Sequence, residues 1–133
     1  MKRIIFICRN NSALSQIAEG FAKHLGVGTM QVTSAGLEAS EVDPEAITSM
    51  NEIGVDISRQ TSKALSQFNP ENFDIVISLG DNDRSLPSQW RLRERSEEWQ
   101  LDDPTGKPET LPNVRDEIRK RVIDLIESLQ QSR

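Results

Sequence analysis

The sequence predicts an α/β fold built on a four-stranded parallel sheet with helices on both faces. Three observations carry that prediction. The 133 residues contain no long polar linker, repeat or low-complexity tract, which suits one domain spanning 1–133 with a single core. Short apolar runs alternate with helical patterns, as in strand-helix-strand units. The run Phe73-Asp-Ile-Val-Ile-Ser-Leu79 is nearly continuous in apolar character, as a parallel strand covered on both faces must be.

The elements follow in order. Lys2-Arg-Ile-Ile-Phe-Ile7 is rich in β-branched residues and reads as the first strand. A helix over 15–25 places Ile17, Ala18, Phe21, Ala22 and Leu25 on one stripe. Met30-Gln-Val-Thr-Ser34 alternates as a half-buried strand does, and Ala35-Gly36 ends it. Asp43 can cap a helix that opens on Pro44 and runs to about 53, with Ala46, Ile47 and Met50 inward and Gly54 closing it. The strand over 73–79 is followed by the turn Gly80-Asp-Asn-Asp83. A short fourth strand is read at 99–101, closed by the turn-rich Asp102-Asp-Pro-Thr-Gly106. The last helix, over 114–130, carries Val114, Ile118, Val122, Leu125, Ile126 and Leu129 on one stripe.

Charge narrows the function classes. A net charge of −5 and a pI near 4.9 argue against a nucleic-acid partner. Arg84, Arg91, Arg93 and Arg95 crowd one segment, but Glu94, Glu97 and Glu98 interleave with them, as on a solvated mixed-charge face. The first apolar run is too short for a signal peptide or a membrane span, so a cytoplasmic protein without a membrane partner is expected. A single cysteine rules out an intramolecular disulfide, and any redox cycle would draw a thiol from another molecule. No cofactor is expected.

That cysteine, Cys8, falls between the first strand and the first helix. Successive backbone N–H groups in such a turn, with the positive end of the helix dipole, form an anion site that favours a thiolate. Cys8 is therefore a candidate nucleophile. It can equally be a small buried apolar residue at a strand end. Position alone leaves both readings open. Ligands in folds of this class bind at the C-terminal ends of the strands, where Cys8, 80–83 and Asp103 would emerge.

The segments Phe6-Ile-Cys8, Asn11-Ser12 and Ser15-Gln-Ile-Ala-Glu-Gly20 resemble the active-site loop and first helix of arsenate reductases built on the low-molecular-weight protein tyrosine phosphatase fold. The likeness continues in order through Thr33-Ser-Ala-Gly-Leu37, Gly54-Val-Asp-Ile-Ser58, Asp74-Ile-Val-Ile-Ser-Leu79, Leu86-Pro87, Trp99, Asp102-Asp-Pro-Thr-Gly106 and Val114-Arg-Asp-Glu-Ile118. The resemblance implies that Cys8 is the nucleophile, Ser15 its hydrogen-bond partner and Asp103 a proton donor to the leaving oxygen. It also implies an oxyanion loop of Arg9, Asn10, Asn11, Ser12, Ala13 and Leu14. Asn11, Glu19 and Ser34 resemble residues that bind potassium in some of these reductases. Plainer roles exist: Ser15 as an N-cap, Asp103 as a turn residue, Asn11 as a left-handed loop residue and Glu19 on a solvated helix face.

The chain departs from the family pattern within one mechanism. Where the family has an arginine that clamps the oxyanion, this sequence has Leu14, and Arg9 comes too early in the loop to occupy the same place. The further cysteines that release the first one are absent from Ala13 and from 80–83, and the glycine usual at the third loop position is Asn10. The expectation is a catalytically impaired relative that binds a small oxyanion, another small ligand or a regulatory protein partner. The competing expectation is an active arsenate reductase that pairs Cys8 with an external thiol such as glutathione. A protein phosphatase ranks below both, because the chain has no tyrosine to line an aryl cleft. His24, far along the first helix, is expected at the surface.

Overall fold

A computed structural model describes residues 1–80, 86–102, 104 and 106–131. Its order is β1 (Lys2–Cys8), α1 (Leu14–Leu25), β2 (Met30–Gly36), α2 (Pro44–Asn51), β3 (Ile75–Leu79), α3 (Ser88–Arg91), β4 (Arg95–Trp99) and α4 (Leu111–Gln131). The sheet is parallel throughout, in the order β2-β1-β3-β4. β1 alternates into two cores. Ile4, Phe6 and Cys8 pack with α1, α2 and α4, whereas Ile5 and Ile7 meet Leu65, Phe73, Val76, Leu86 and Trp90 on the opposite face. That second face is covered by the four-residue α3 and the 3-10 turns Leu65–Gln67 and Pro70–Asn72, so its helices are far shorter than those opposite.

The predicted elements are present, with shifted limits. The fourth strand lies at Arg95–Trp99 rather than 99–101. It is an edge strand bonded only to β3, and charged residues there discourage pairing with another chain, which hides the strand from a hydrophobicity pattern. The arginines at and before its start do more than meet solvent: Arg95 Nη1 donates to Ser128 Oγ at 2.8 Å, and Arg93 Nε donates to the Phe73 carbonyl at 2.9 Å. β3 begins at Ile75, two residues late, because Phe73 closes the preceding 3-10 turn. α2 ends at Asn51, where the turn through Gly54 takes over, and α4 begins at Leu111 behind the turn Pro108–Thr110. Asp43 caps α2 as read, accepting from Glu45 N at 3.0 Å. Leu25, assigned to the apolar stripe of α1, is 38% exposed at the helix end, and His24 is exposed beside it. Among the described residues no helix is long and apolar enough to cross a membrane.

The strand order places the active edge. From β1 the chain moves outward to β2 and then returns across β1 to β3, so the crossovers diverge at the C-terminal ends of β1 and β3. Cys8 closes one of those strands and Gly80 follows the other.

Candidate active site

The turn from Cys8 to Leu14 is shaped by what its carbonyls bind. The carbonyls of Cys8 and Arg9 accept from Leu37 N and Glu38 N at 3.1 and 3.0 Å, and that of Asn10 accepts from Ser40 Oγ and Ser62 Oγ at 3.1 Å each. Those of Asn11, Ser12 and Ala13 accept from Gln16 Nε2, Asp43 N and Ile17 N. Every loop carbonyl is thus held by the surrounding protein. A trans peptide points its N–H opposite its C=O, so the N–H groups from Arg9 to Leu14 are turned to the inner side of the loop. They donate to none of the described residues. A turn lined by free N–H groups beside the N-terminus of α1 is an anion-binding nest.

Gly36 lets that turn close. A Cβ there would stand 2.5 Å from Asn11 N and 2.6 Å from the Asn10 carbonyl carbon, because the loop backbone lies directly on the end of β2. Sequence reading took Gly36 only as a strand terminator.

Asn11 organises the side chains. It is fully buried with φ +51°, a left-handed conformation that asparagine tolerates. Its Oδ1 accepts from the backbone N–H of Lys63 at 2.8 Å, and because a backbone N–H only donates, this contact fixes which way the amide faces. Asn11 Nδ2 then donates to Ser15 Oγ at 2.7 Å and to Ser34 Oγ at 2.9 Å. Both hydroxyls must spend their own hydrogens elsewhere. Ser34 donates to Glu19 Oε1, and Ser15 faces Cys8 Sγ at 2.9 Å. The order of donors makes Ser15 the donor to Cys8 sulfur. Ser15 therefore does not cap α1, whose N-cap residue Ala13 makes no side-chain bond. Gln16, fully buried, had gone unnoticed in the sequence; its Nε2 also reaches Asn11 Oδ1 and the Thr61 carbonyl, while Gln60 Nε2 donates to its Oε1 at 2.8 Å. A glutamine beside the apolar stripe of a helix was the available signal.

The remaining loop residues part company. Leu14 is 7% exposed and belongs to the same core as Cys8, Ala13 and Leu79, its Cδ1 lying 3.3 Å from where a Cβ on Gly80 would stand. Gly80 has φ +94°, so a side chain there would meet both strain and Leu14. Arg9 and Asn10 are exposed, and among the described residues the Arg9 guanidinium has no hydrogen-bond or ion-pair partner. Beside Asn10 and Ser12 opens a depression of about 500 Å³ whose rim carries Glu41, Asp43 and Glu45. Asp103 and 81–83 lie outside the described residues.

The sequence pattern of low molecular weight phosphotyrosine protein phosphatases matches residues 3–133. The chain belongs to that family. Within this phosphatase family it is 49% identical over 127 residues to a glutaredoxin arsenate reductase of Synechocystis sp., covering 95% of this chain and 97% of that protein. An arsenate reductase of Staphylococcus aureus is 42% identical over 120 residues, covering 89% of this chain and 91% of that protein. The solved structure of an arsenate reductase in its phosphate-binding state superposes with a TM-score of 0.92 at 48% identity, covering 97% of this chain and 99% of that one. The resemblance read from the sequence and its fold are thereby shown.

Proposed function

We propose that this family member keeps the oxyanion nest of an arsenate reductase but has given up turnover, and acts in the cytosol by binding a small ligand or a regulatory protein partner. Leu14 carries the reading. At the loop position that the family resemblance gives to an arginine, an apolar side chain is packed into the core against Gly80. It offers none of the charge-assisted hydrogen bonds that a guanidinium gives a tetrahedral oxyanion. Removing even one preorganised neutral donor costs roughly a hundred- to a thousandfold in rate. Cys8 is also the chain's only cysteine, so an oxidised Cys8 has no internal thiol to release it.

In this proposal Cys8, Ser15 and the loop amides are the retained binding machinery, and Asp103 is the residue to which the family resemblance gives the role of proton donor. A second reading is favoured by the likeness to a glutaredoxin arsenate reductase and by the intact Ser15–Cys8 contact. There, Cys8 sulfur displaces one arsenate oxygen as water to form a thiol–arsenate adduct, an external thiol such as glutathione attacks that sulfur and releases arsenite, and the mixed disulfide left on Cys8 is reduced by a second external thiol in place of the missing cysteines. One assay separates the two. Arsenate reduction is followed with glutathione and glutaredoxin, and separately with thioredoxin, for the native protein and Cys8→Ser. Negligible turnover is expected in every case. A rate of about one per second or more that disappears in Cys8→Ser would establish the second reading.

A further inference from the structure

Asn11, Glu19 and Ser34 do converge, through the bonds from Asn11 Nδ2 to Ser34 Oγ and from Ser34 to Glu19. They do not suit a metal ion. Asn11 Oδ1, the oxygen a cation would need, is occupied by the Lys63 N–H and by Gln16 Nε2. Ser34 Oγ already accepts from an amide N–H. The Glu19 carboxylate, 3% exposed, lies between two ammonium groups: Lys23 Nζ at 2.5 Å from Oε2 and Lys63 Nζ at 3.9 Å from Oε1. Lys63 Nζ also donates to the Thr61 carbonyl at 2.6 Å, so its neighbours are carbonyl and carboxylate oxygens, the ligands a hard cation prefers.

We propose that Lys63, assisted by Lys23, is a built-in cation that balances the buried Glu19 charge and makes a bound potassium ion unnecessary for holding the nucleophile loop. The backbone delivers it there. The Lys63 N–H is bonded to Asn11 and its ammonium faces Glu19, so one residue ties the loop amide and supplies the charge beneath it. The Lys63 side chain is only 21% exposed, and burial pushes its pKa down while Glu19 opposes that change. A tethered charge also avoids the entropy lost on capturing a free ion.

The test is thermal unfolding of the native protein in about 0.1 M potassium, sodium or choline chloride, matched in ionic strength so that screening is equal. The same Tm in all three salts is expected. A rise specific to potassium overturns the proposal. Glu19→Gln, Lys63→Met and the double variant are then compared. If the two side chains are each other's counter-charge, the double variant loses less Tm than the sum of the single losses. Additive losses overturn the pairing.

Discussion

Replacing Asn11 by aspartate changes two N–H donors into acceptors and leaves the shape of the side chain intact. The backbone conformation at φ +51° suits aspartate as well as asparagine, and the contacts from Lys63 N–H and Gln16 Nε2 survive, because both are donors. What changes is the direction of two protons. Ser15 Oγ, now 2.7 Å from a carboxylate oxygen, turns its hydrogen away from Cys8 Sγ. A hydrogen bond to a charged group contributes about 1.5–3 kcal/mol. At about 1.4 kcal/mol per factor of ten, its loss slows the alkylation of Cys8 at one fixed pH by about ten- to a hundredfold. The assay is the rate of iodoacetamide modification at that pH for the native protein, Asn11→Asp and Ser15→Ala. Both variants should slow by similar factors. If Ser15→Ala slows the reaction and Asn11→Asp leaves it unchanged, the proton of Ser15 is not directed by Asn11 and the donor order derived above is wrong.

Three further outcomes follow from the same geometry. Leu14→Arg should tighten phosphate or arsenate binding by about ten- to a hundredfold, the equivalent of one charge-assisted hydrogen bond, as read by calorimetry; no change would mean that the nest has left its anion-binding shape. Gly36→Ala places a methyl 2.5 Å from loop backbone that cannot yield, so a loss of about 1–3 kcal/mol in urea unfolding is expected. Asp74 accepts from the Arg3 N–H at 2.9 Å, with the Arg3 guanidinium nearby, and its carboxyl is held below the ordinary value of 3.8. Its contribution is therefore complete above about pH 4 and is lost as pH falls through the lower folded value. The stability gap between the native protein and Asp74→Asn should accordingly shrink in acid, and a gap that widens there would refute the assignment.

The apolar elements were legible because burial leaves a periodic trace. β1 and β3 are buried on both faces and read as near-continuous apolar runs, while α1 and α4 bury one repeating stripe each, and both patterns are visible as letters. β4 left no such trace, since Arg95, Ser96, Glu97 and Glu98 suit an edge and only Trp99 is buried, its ring 5.8 Å from Phe6. Within the site, Cys8 was legible from its place between β1 and α1, and Ser15 from the family resemblance alone. Gln16, Gln60 and Lys63 were not, because their roles depend on the 60–63 segment folding back on α1, a juxtaposition some 45 residues away in sequence that no local pattern encodes. Glu19 shows the same limit. The sequence offered it a solvated helix face, yet the carboxylate is buried beneath the loop.

The outward-bonded carbonyls of the nucleophile loop also bear on how this part of the molecule exchanges with water. Along β1 and β3 the ladder bonds release their amide hydrogens only by large openings, whereas those of Arg9 to Leu14 are bonded to no described residue even though the chain around them is tightly held. Amide deuteration should therefore be fast at the loop and slow on either side of it, a sharp boundary at Cys8 within a few residues of chain. Any anion seated among those N–H groups would erase that boundary, so the protection of six neighbouring amides reports occupancy directly, without a chromophore, a label or turnover.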